Sequence, residues 1–223
     1  MERSGRVTQR HGWAWCATAA VLFGAATPAI KLVVDDVGAV TLAGLLYLGA
    51  AAAVAPIATR EQRSNATGRQ RSRLLLAVGF GGGVAPVLLV LALDRTPAGT
   101  VSLFLNLELV ATAVIARLFL QEHIGRRAGL GIVVVVLGGV VLAGAADGGV
   151  AVGAVLVAAT CVCWGIDNAV TASLDSYTPA QITLAKGLVA GSVNLVIGLA
   201  LDGLPAARFV VAAGVIGAAG YGV

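Results

Sequence analysis

Charged side chains are scarce in this chain of 223 residues. Asp, Glu, Lys and Arg together make up 12% of it, while hydrophobic residues make up 58%. Soluble globular domains usually contain about 25% charged and about 45–50% apolar residues. This shortage of charge excludes an ordinary soluble domain, because a single core could not bury so much apolar surface.

Histidine and cysteine are also scarce, with two His and three Cys in the chain. Cys16, Cys161 and Cys163 all lie inside apolar runs, which argues against the disulfide framework of a small secreted protein. Cys161 and Cys163 have no other soft ligand near them, so we interpret the pair as packing residues rather than metal ligands. The sequence carries no cofactor fingerprint, and we expect neither a cofactor nor a metal.

Long apolar runs fill most of the sequence. A helix needs about 20 residues to cross a hydrocarbon layer about 30 Å thick. Eight runs approach this length, at 13–34, 38–58, 74–93, 100–120, 128–145, 150–171, 181–201 and from 209 onwards. The sequence therefore predicts an all-α fold, a polytopic bundle of about eight transmembrane helices in a lipid bilayer. We interpret the first run as a retained helix, because it is long for a signal peptide and seven further runs follow.

The positions of the charges predict the orientation of the bundle. Arginines concentrate in the N-terminus, in the link 59–73 and at 126–127, which lie on one side if every run spans. Asp35, Asp36, Asp94, Asp147 and Asp202 fall on the other side. By the positive-inside rule the N-terminus is cytoplasmic. The link 59–73 is then a solvated loop, and we expect no nucleic-acid partner.

A weak internal repeat relates the two parts of the chain. Residues 41–49 align with 183–191, and residues 78–83 align with 213–218. Five spans separate the copies, and because five is odd the second copy must enter the membrane from the opposite side. An inverted repeat of this kind favours a substrate site near the bilayer midplane, where the copies meet.

The repeat also suggests domain boundaries. A five-helix first unit would cover 1–145 and an incomplete second unit of about three helices would cover 146–223. Arg208 aligns with Arg73, so about 57 residues that would match 89–145 have no counterpart. We therefore expect about eight of ten helices, a fragment or truncated product, and a last span too short to cross.

Several short motifs, taken in order, resemble the EamA-type branch of the drug/metabolite transporter superfamily. They lie at 23–28 with Lys31, 42–49, 105–108, 121–122, 138–140, 163–168 and 186–194. The resemblance implies ten helices in two inverted halves, and export or uptake of small metabolites across a bacterial inner membrane. One departure is Gly44, which stands where many family members carry Arg.

Polar residues inside the spans are the candidate pathway residues, since a charge at the bilayer centre costs about 2.5–3.5 kcal/mol on insertion scales. Glu108 is the best candidate, because it lies close to the middle of the fourth run. A carboxyl group in a low-dielectric site suits proton coupling, although a structural hydrogen bond is the alternative. Asn106 and Glu108 point to different faces of a regular helix, so they would serve one ligand only if the helix were irregular.

Asp167 and Lys186 lie on consecutive antiparallel spans, each a few residues from the same end, so we predict that they pair. Such a pair could fix the hairpin or contact a substrate or gate, and both readings stay open. Asn168 and Asn194 could extend the same network across helices.

Two other candidates have simpler interpretations. Lys31 precedes Asp35 by four residues near the outer end of the first span, so snorkelling with Asp35 as its partner is favoured over a pathway role. Trp164 is favoured as a packing residue over an aromatic floor for a substrate. Glu122, beside His123 at the cytoplasmic end of the fourth span, is interpreted as structural. The glycine pairs Gly79/Gly83 and Gly187/Gly191 predict close helix crossings.

Three functions remain in view. The leading one is a secondary-active transporter of a small metabolite or drug-like compound, working by alternating access and coupled to protons. A truncated chain without transport activity is the second. A membrane-embedded enzyme is the third and weakest, because the sequence offers neither a His-rich set nor two close carboxylates. The substrate and the oligomeric state, a homodimer included, are left open.

Overall fold

A computed structural model of the chain describes residues 2–62, 65–119, 121, 123–144 and 148–222, without the side chains of 2–12, 143, 148 and 149. Within these ranges every regular element is helical, which confirms the predicted all-α bundle. The elements are α1 (Glu2–Lys31), α2 (Ala39–Ala58), α3 (Gly68–Ala77), a π-helical segment (Val78–Val84), α4 (Ala85–Arg95), α5 (Ala98–Phe104), α6 (Leu107–Phe119), α7 (Arg126–Gly144), α8 (Gly148–Thr171), α9 (Pro179–Asp202) and α10 (Ala207–Tyr221).

Six stretches of the described chain are long and apolar enough to cross a membrane. They are Trp13–Lys31, Ala39–Ala58, Gly68–Arg95, Ala98–Phe119, Val150–Thr171 and Pro179–Asp202. The predicted run 128–145 corresponds to α7 as far as Gly144, and residue 145 lies outside the described ranges. Helix α10 has 15 residues, about 22 Å at 1.5 Å per residue, and is shorter than the hydrocarbon core.

Helix α2 lies at the centre of the bundle and packs against α9 and α10. Small residues allow these backbones to approach, as is usual where lipid removes the hydrophobic drive for association. A methyl group added to Gly187 would lie 2.6 Å from Cβ of Ala51, and one added to Gly191 would lie 3.1 Å from the Gly44 carbonyl oxygen. The predicted crossing at Gly187 and Gly191 is confirmed.

The predicted crossing at Gly79 and Gly83 is wrong. A Cβ on Gly79 would meet nothing within 4 Å, and one on Gly83 would meet only Val78 of its own segment. Gly81 and Gly82 make the close contacts instead, with Asp167 and Ala190 respectively. The reason is the π-helical winding of this segment. Successive residues of a π-helix are rotated about the axis by a smaller angle than those of an α-helix, and this changes which glycines face α8 and α9.

The arginine-bearing and the acidic segments of the sequence lie at opposite ends of the bundle. At one end, Ser176 Oγ of the α8–α9 turn donates to Gln70 Oε1 at 2.8 Å, and Thr178 donates to Glu61. The arginine-bearing link 59–73 and the α8–α9 turn therefore lie on the same side. At the other end, a cavity of about 430 Å³ is lined by four acidic residues, Asp35, Asp36, Asp94 and Asp202.

Candidate functional site

A break in the fourth span creates the first part of the candidate site. Helix α5 ends at Phe104 and α6 begins at Leu107, with Leu105 and Asn106 forming a turn between them. The amide groups of Asn106 and Glu108 bond to carbonyl oxygens only three residues back, at 3.3 and 3.0 Å. The Asn106 side chain also donates to the Leu103 carbonyl oxygen at 2.9 Å, so its amide is directed back onto α5 at the break.

The break also turns Asn106 and Glu108 toward the same space. Both line a cavity of about 290 Å³ between α1 and the α5–α6 break. The condition under which the two residues could serve one ligand is therefore met, because the helix is irregular between them. The rest of the lining is Phe23, Gly24, Thr27, Ser102, Leu105 and Leu109.

Glu108 lies midway along the apolar stretch Ala98–Phe119 and in the first turn of α6. Asn168 of α8 donates to Glu108 Oε1, with 3.0 Å between the atoms, and to Thr112 Oγ1 at 3.2 Å. The Asn168 amide therefore links the Glu108 carboxyl group on α6 to α8.

Asp167 and Lys186 form the predicted ion pair. Lys186 Nζ lies 2.6 Å from Asp167 Oδ2, and the two side chains are 15% and 8% exposed. Thr171 Oγ1 donates to the other carboxylate oxygen of Asp167 at 3.1 Å. Each charge therefore has its counter-charge inside the bundle, which removes most of the cost of burying it alone.

The two asparagines do not extend this pair, contrary to the prediction. Asn168 follows Asp167 directly and points from the other face of α8 toward Glu108. Asn194 donates instead to the Gly83 carbonyl oxygen at 3.0 Å. Helix α8 thus carries an ion pair on one face and the hydrogen bond to Glu108 on another, because successive residues of a helix are about 100° apart.

The π-helical segment presents main-chain oxygen atoms to neighbouring helices. Ala85 N–H bonds to Phe80 O, five residues back, and the next such bond would join residue 86 to Gly81. Residue 86 is Pro, which has no N–H. The Gly81 carbonyl oxygen instead accepts from Tyr47 OH at 2.6 Å and from Trp164 Nε1 at 3.3 Å.

Trp164 has a buried, structural position. It is 6% exposed and belongs to the hydrophobic core, and its ring centroid lies 6.3 Å from that of Phe23, which lines the cavity. The predicted packing role agrees with this geometry. Cys161 and Cys163 are likewise buried in the core, as their interpretation as packing residues required.

Lys31 has a different partner from the predicted one. Its Nζ donates to the Leu93 carbonyl oxygen of α4 at 2.6 Å. Helix α1 ends at Lys31, and the following residues form turns, so Asp35 is not one helical turn further along the same face. The prediction of an i,i+4 pair with Asp35 is wrong because the helix stops four residues too early.

Sequence reasoning missed several residues of the site. Phe23 and Thr27 lie in the motif 23–28 but carry no charge, as does Ser102, so the search for polar and charged residues inside the spans did not name them as site residues. Pro86 signals that a carbonyl oxygen one turn earlier lacks its main-chain donor, but that this oxygen belongs to Gly81 and that Tyr47 binds it follow only from the π-helical winding. Glu122 and the predicted boundary at 145/146 fall on residues outside the described ranges.

The comparison with known families agrees with the geometry. Residues 10–144 match the model of the EamA-like transporter family, and this segment covers more than half of the chain. No curated protein matches the chain. The matched segment contains α2, the π-helical segment and the α5–α6 break with Glu108. The chain belongs to the EamA-like transporter family, and is a multi-pass membrane protein of the drug/metabolite transporter superfamily.

Proposed function

We propose that the chain is a secondary-active transporter that moves a small metabolite by alternating access, with Glu108 as the group that couples transport to protons. One observation carries the proposal. Glu108 lies at a helix break in mid-span, lines a cavity, and is bound by a side chain from the predicted second repeat. Discontinuous helices at the repeat interface are a common site for substrates and coupling ions.

The packing of the predicted repeats supports alternating access. Helices α2 and α9, which align in sequence, are antiparallel, since Thr41 lies at Gly198 and Ala51 lies at Gly187. An inverted repeat requires this direction.

A second contact has its repeat-related counterpart. Gly217 of α10 packs on Leu46 of α2. Gly82 aligns with Gly217, and Leu188 of α9 aligns with Leu46. Gly82 packs on Lys186 and Ala190, which lie on either side of Leu188 along α9. Both contacts join one predicted unit to the other, so the related pair supports a two-fold interface between the units, which is where transporters with inverted repeats place the shared site.

The orientation belongs to the same proposal. With the arginine-bearing link in the cytoplasm, the N-terminus is also cytoplasmic and the acidic cavity of Asp35, Asp36, Asp94 and Asp202 faces outward. The membrane would be the inner membrane of a bacterium. Family membership favours transport over catalysis, and the proposal includes no chemical step.

The test uses the protein in liposomes with an imposed pH gradient. Efflux or uptake of a mixture of small metabolites is followed by mass spectrometry, and proton movement by an entrapped pH indicator. Glu108→Gln keeps the size of the side chain and removes its ionisation, so we expect substrate-dependent proton movement to fall at least tenfold. Asp175→Asn removes an exposed carboxylate in the α8–α9 turn and is the matched control.

Two results would contradict the proposal. Proton movement by the Glu108→Gln protein equal to that of the wild type would remove Glu108 from the coupling role. A wild-type protein that equilibrates no substrate in either gradient direction would contradict transport itself.

A further inference from the structure

The charge balance of the cavity at the α5–α6 break limits what it can hold. Glu108 is the only ionisable residue among the residues that line it. Both lysines of the chain already have partners. Lys186 pairs with Asp167, and Lys31 donates to the Leu93 carbonyl oxygen. When Glu108 is ionised the cavity therefore holds one negative charge, and nothing in its described lining offsets it.

Glu108 also has a free acceptor. Its hydrogen bond from Asn168 uses Oε1, and among the described residues no donor reaches Oε2. The Asn106 amide group donates to the Leu103 and Ser102 carbonyl oxygens, so it is not available as a donor to Oε2. A ligand that donates a hydrogen bond and carries a positive charge would bind Oε2 and neutralise the carboxylate.

Apart from the polar side chains of Thr27, Ser102 and Asn106, the remaining walls are apolar, and the volume is small. Phe23, Leu105 and Leu109 provide apolar surface, and the Phe23 ring offers a face that attracts cations. The volume of about 290 Å³ lies at the lower end of the roughly 300–1,000 Å³ usual for ligand pockets. A ligand with about one ring, or a short chain, fits this size.

From this geometry we infer that the cavity takes a small organic monocation, with an ammonium group on Glu108 Oε2 and an apolar body against Phe23, Leu105 and Leu109. While Glu108 is ionised, an anionic substrate is disfavoured, because its charge would face the carboxylate and no cation in the described lining offsets it. A neutral alcohol of the same shape could donate to Oε2 but would leave the charge of the carboxylate without a counter-charge. The inference rests on the proposed function, since it names the substrate class of the same cavity.

Equilibrium binding in detergent tests the inference without any gradient. The chain has three tryptophans, so replacing Trp13 and Trp15 by Phe leaves Trp164, which lies against the cavity residue Phe23, as the reporter. The ligands are phenethylamine as the cation, 2-phenylethanol as its neutral analogue and 3-phenylpropanoate as the anion. We expect phenethylamine to change Trp164 fluorescence with at least tenfold higher affinity than the other two.

Glu108→Gln should abolish this preference, so that phenethylamine and 2-phenylethanol bind equally weakly, while Asp175→Asn should leave it unchanged. Equal binding of all three ligands by the Trp164 reporter protein with Glu108 intact, or preference for the anion, overturns the inference, and this ranking does not depend on the folding of the Glu108→Gln variant. Cation-selective binding without proton-coupled transport supports the inference and contradicts the coupling role of Glu108. Proton-coupled transport with no preference for cations overturns the inference alone.

Discussion

Asn168 on α8 donates a hydrogen bond to Glu108 on α6, with 3.0 Å between Nδ2 and Oε1, and the two residues are 60 positions apart in the chain. Its neighbour Asp167 pairs with Lys186 on the other side of α8. One helix turn therefore connects the acid in the cavity with the buried ion pair.

Loss of one partner of the buried Asp167–Lys186 pair should destabilise the folded protein. Asp167→Asn leaves the Lys186 ammonium group among apolar helices, so the free energy of unfolding should fall by about 3–5 kcal/mol. Adding Lys186→Met to this variant should restore most of the loss, because no unpaired charge remains. Unfolding in mixed detergent micelles, followed by circular dichroism, measures both effects.

The control for that experiment is an exposed pair. Asp94 and Arg95 lie 3.2 Å apart with side chains 46% and 44% exposed, so Asp94→Asn should change stability by about 0–1 kcal/mol. Equal losses for Asp94→Asn and Asp167→Asn would mean that the membrane-embedded pair adds nothing beyond a surface pair.

The bond from Tyr47 to the Gly81 carbonyl oxygen should depend on Pro86. Tyr47→Phe removes the shorter of the two side-chain donors to that oxygen and should cost about 1 kcal/mol. In a Pro86→Ala background the main chain regains an N–H that can reach Gly81, so the same substitution should cost less.

A double-mutant cycle by detergent unfolding gives the coupling between these two positions. Tyr177→Phe, which removes a hydroxyl group outside the bundle core, is the control for loss of a tyrosine hydroxyl. If Tyr47→Phe costs the same with Pro86 and with Ala at that position, the proline is not the reason for the exposed carbonyl oxygen.

Close crossing of α2 and α9 should make Gly187 intolerant of even a methyl group. A Cβ there would lie 2.6 Å from the Ala51 Cβ, so Gly187→Ala should lower stability by about 1–3 kcal/mol. Gly79→Ala, where the added methyl group meets nothing within 4 Å, should be neutral or slightly stabilising. Melting temperatures of the two purified variants compare them directly, and a larger loss for Gly79→Ala would reverse the assignment of the crossing residues.

The two ends of the bundle should react with an impermeant reagent from opposite sides of the membrane. In a background without Cys16, Cys161 and Cys163, Leu204→Cys should be labelled by a charged maleimide on intact cells, because Leu204 is 85% exposed beside the acidic end. Gln62→Cys, in the arginine-bearing link, should be labelled only after the membrane is opened. Labelling in the reverse order would place the N-terminus outside.

Long apolar runs predicted the helices well because hydrocarbon leaves few alternatives. A backbone in lipid must satisfy its own hydrogen bonds, so run length alone indicates where a helix crosses. The ion pair of Asp167 and Lys186 was predictable for a similar reason, since consecutive spans are antiparallel and their ends must meet. These predictions needed only the order of the apolar runs along the chain and the fact that lipid surrounds them.

Irregular winding was not predictable from the same patterns. A turn at Leu105 and Asn106 decides that Asn106 and Glu108 share a cavity, and the π-helical winding decides that Gly81 and Gly82 face α8 and α9. Lys31 shows the same limit, because the end of α1 separates it from Asp35. Each outcome depends on a rotation of part of one helix, and such a rotation leaves the hydrophobic pattern almost unchanged.

The sequence by itself determined that this protein is a bundle of membrane helices, which family it resembles, which residues are polar inside the spans, and that its positive and acidic ends are separated. Only the tertiary structure decided which of those polar residues meet, that Glu108 lines a cavity while Lys31 binds a carbonyl oxygen of α4, and that the Gly81 carbonyl oxygen is held by Tyr47 and Trp164. The physical reason is that solvent acts on each segment separately, whereas a hydrogen bond or ion pair depends on the relative rotation and register of two helices.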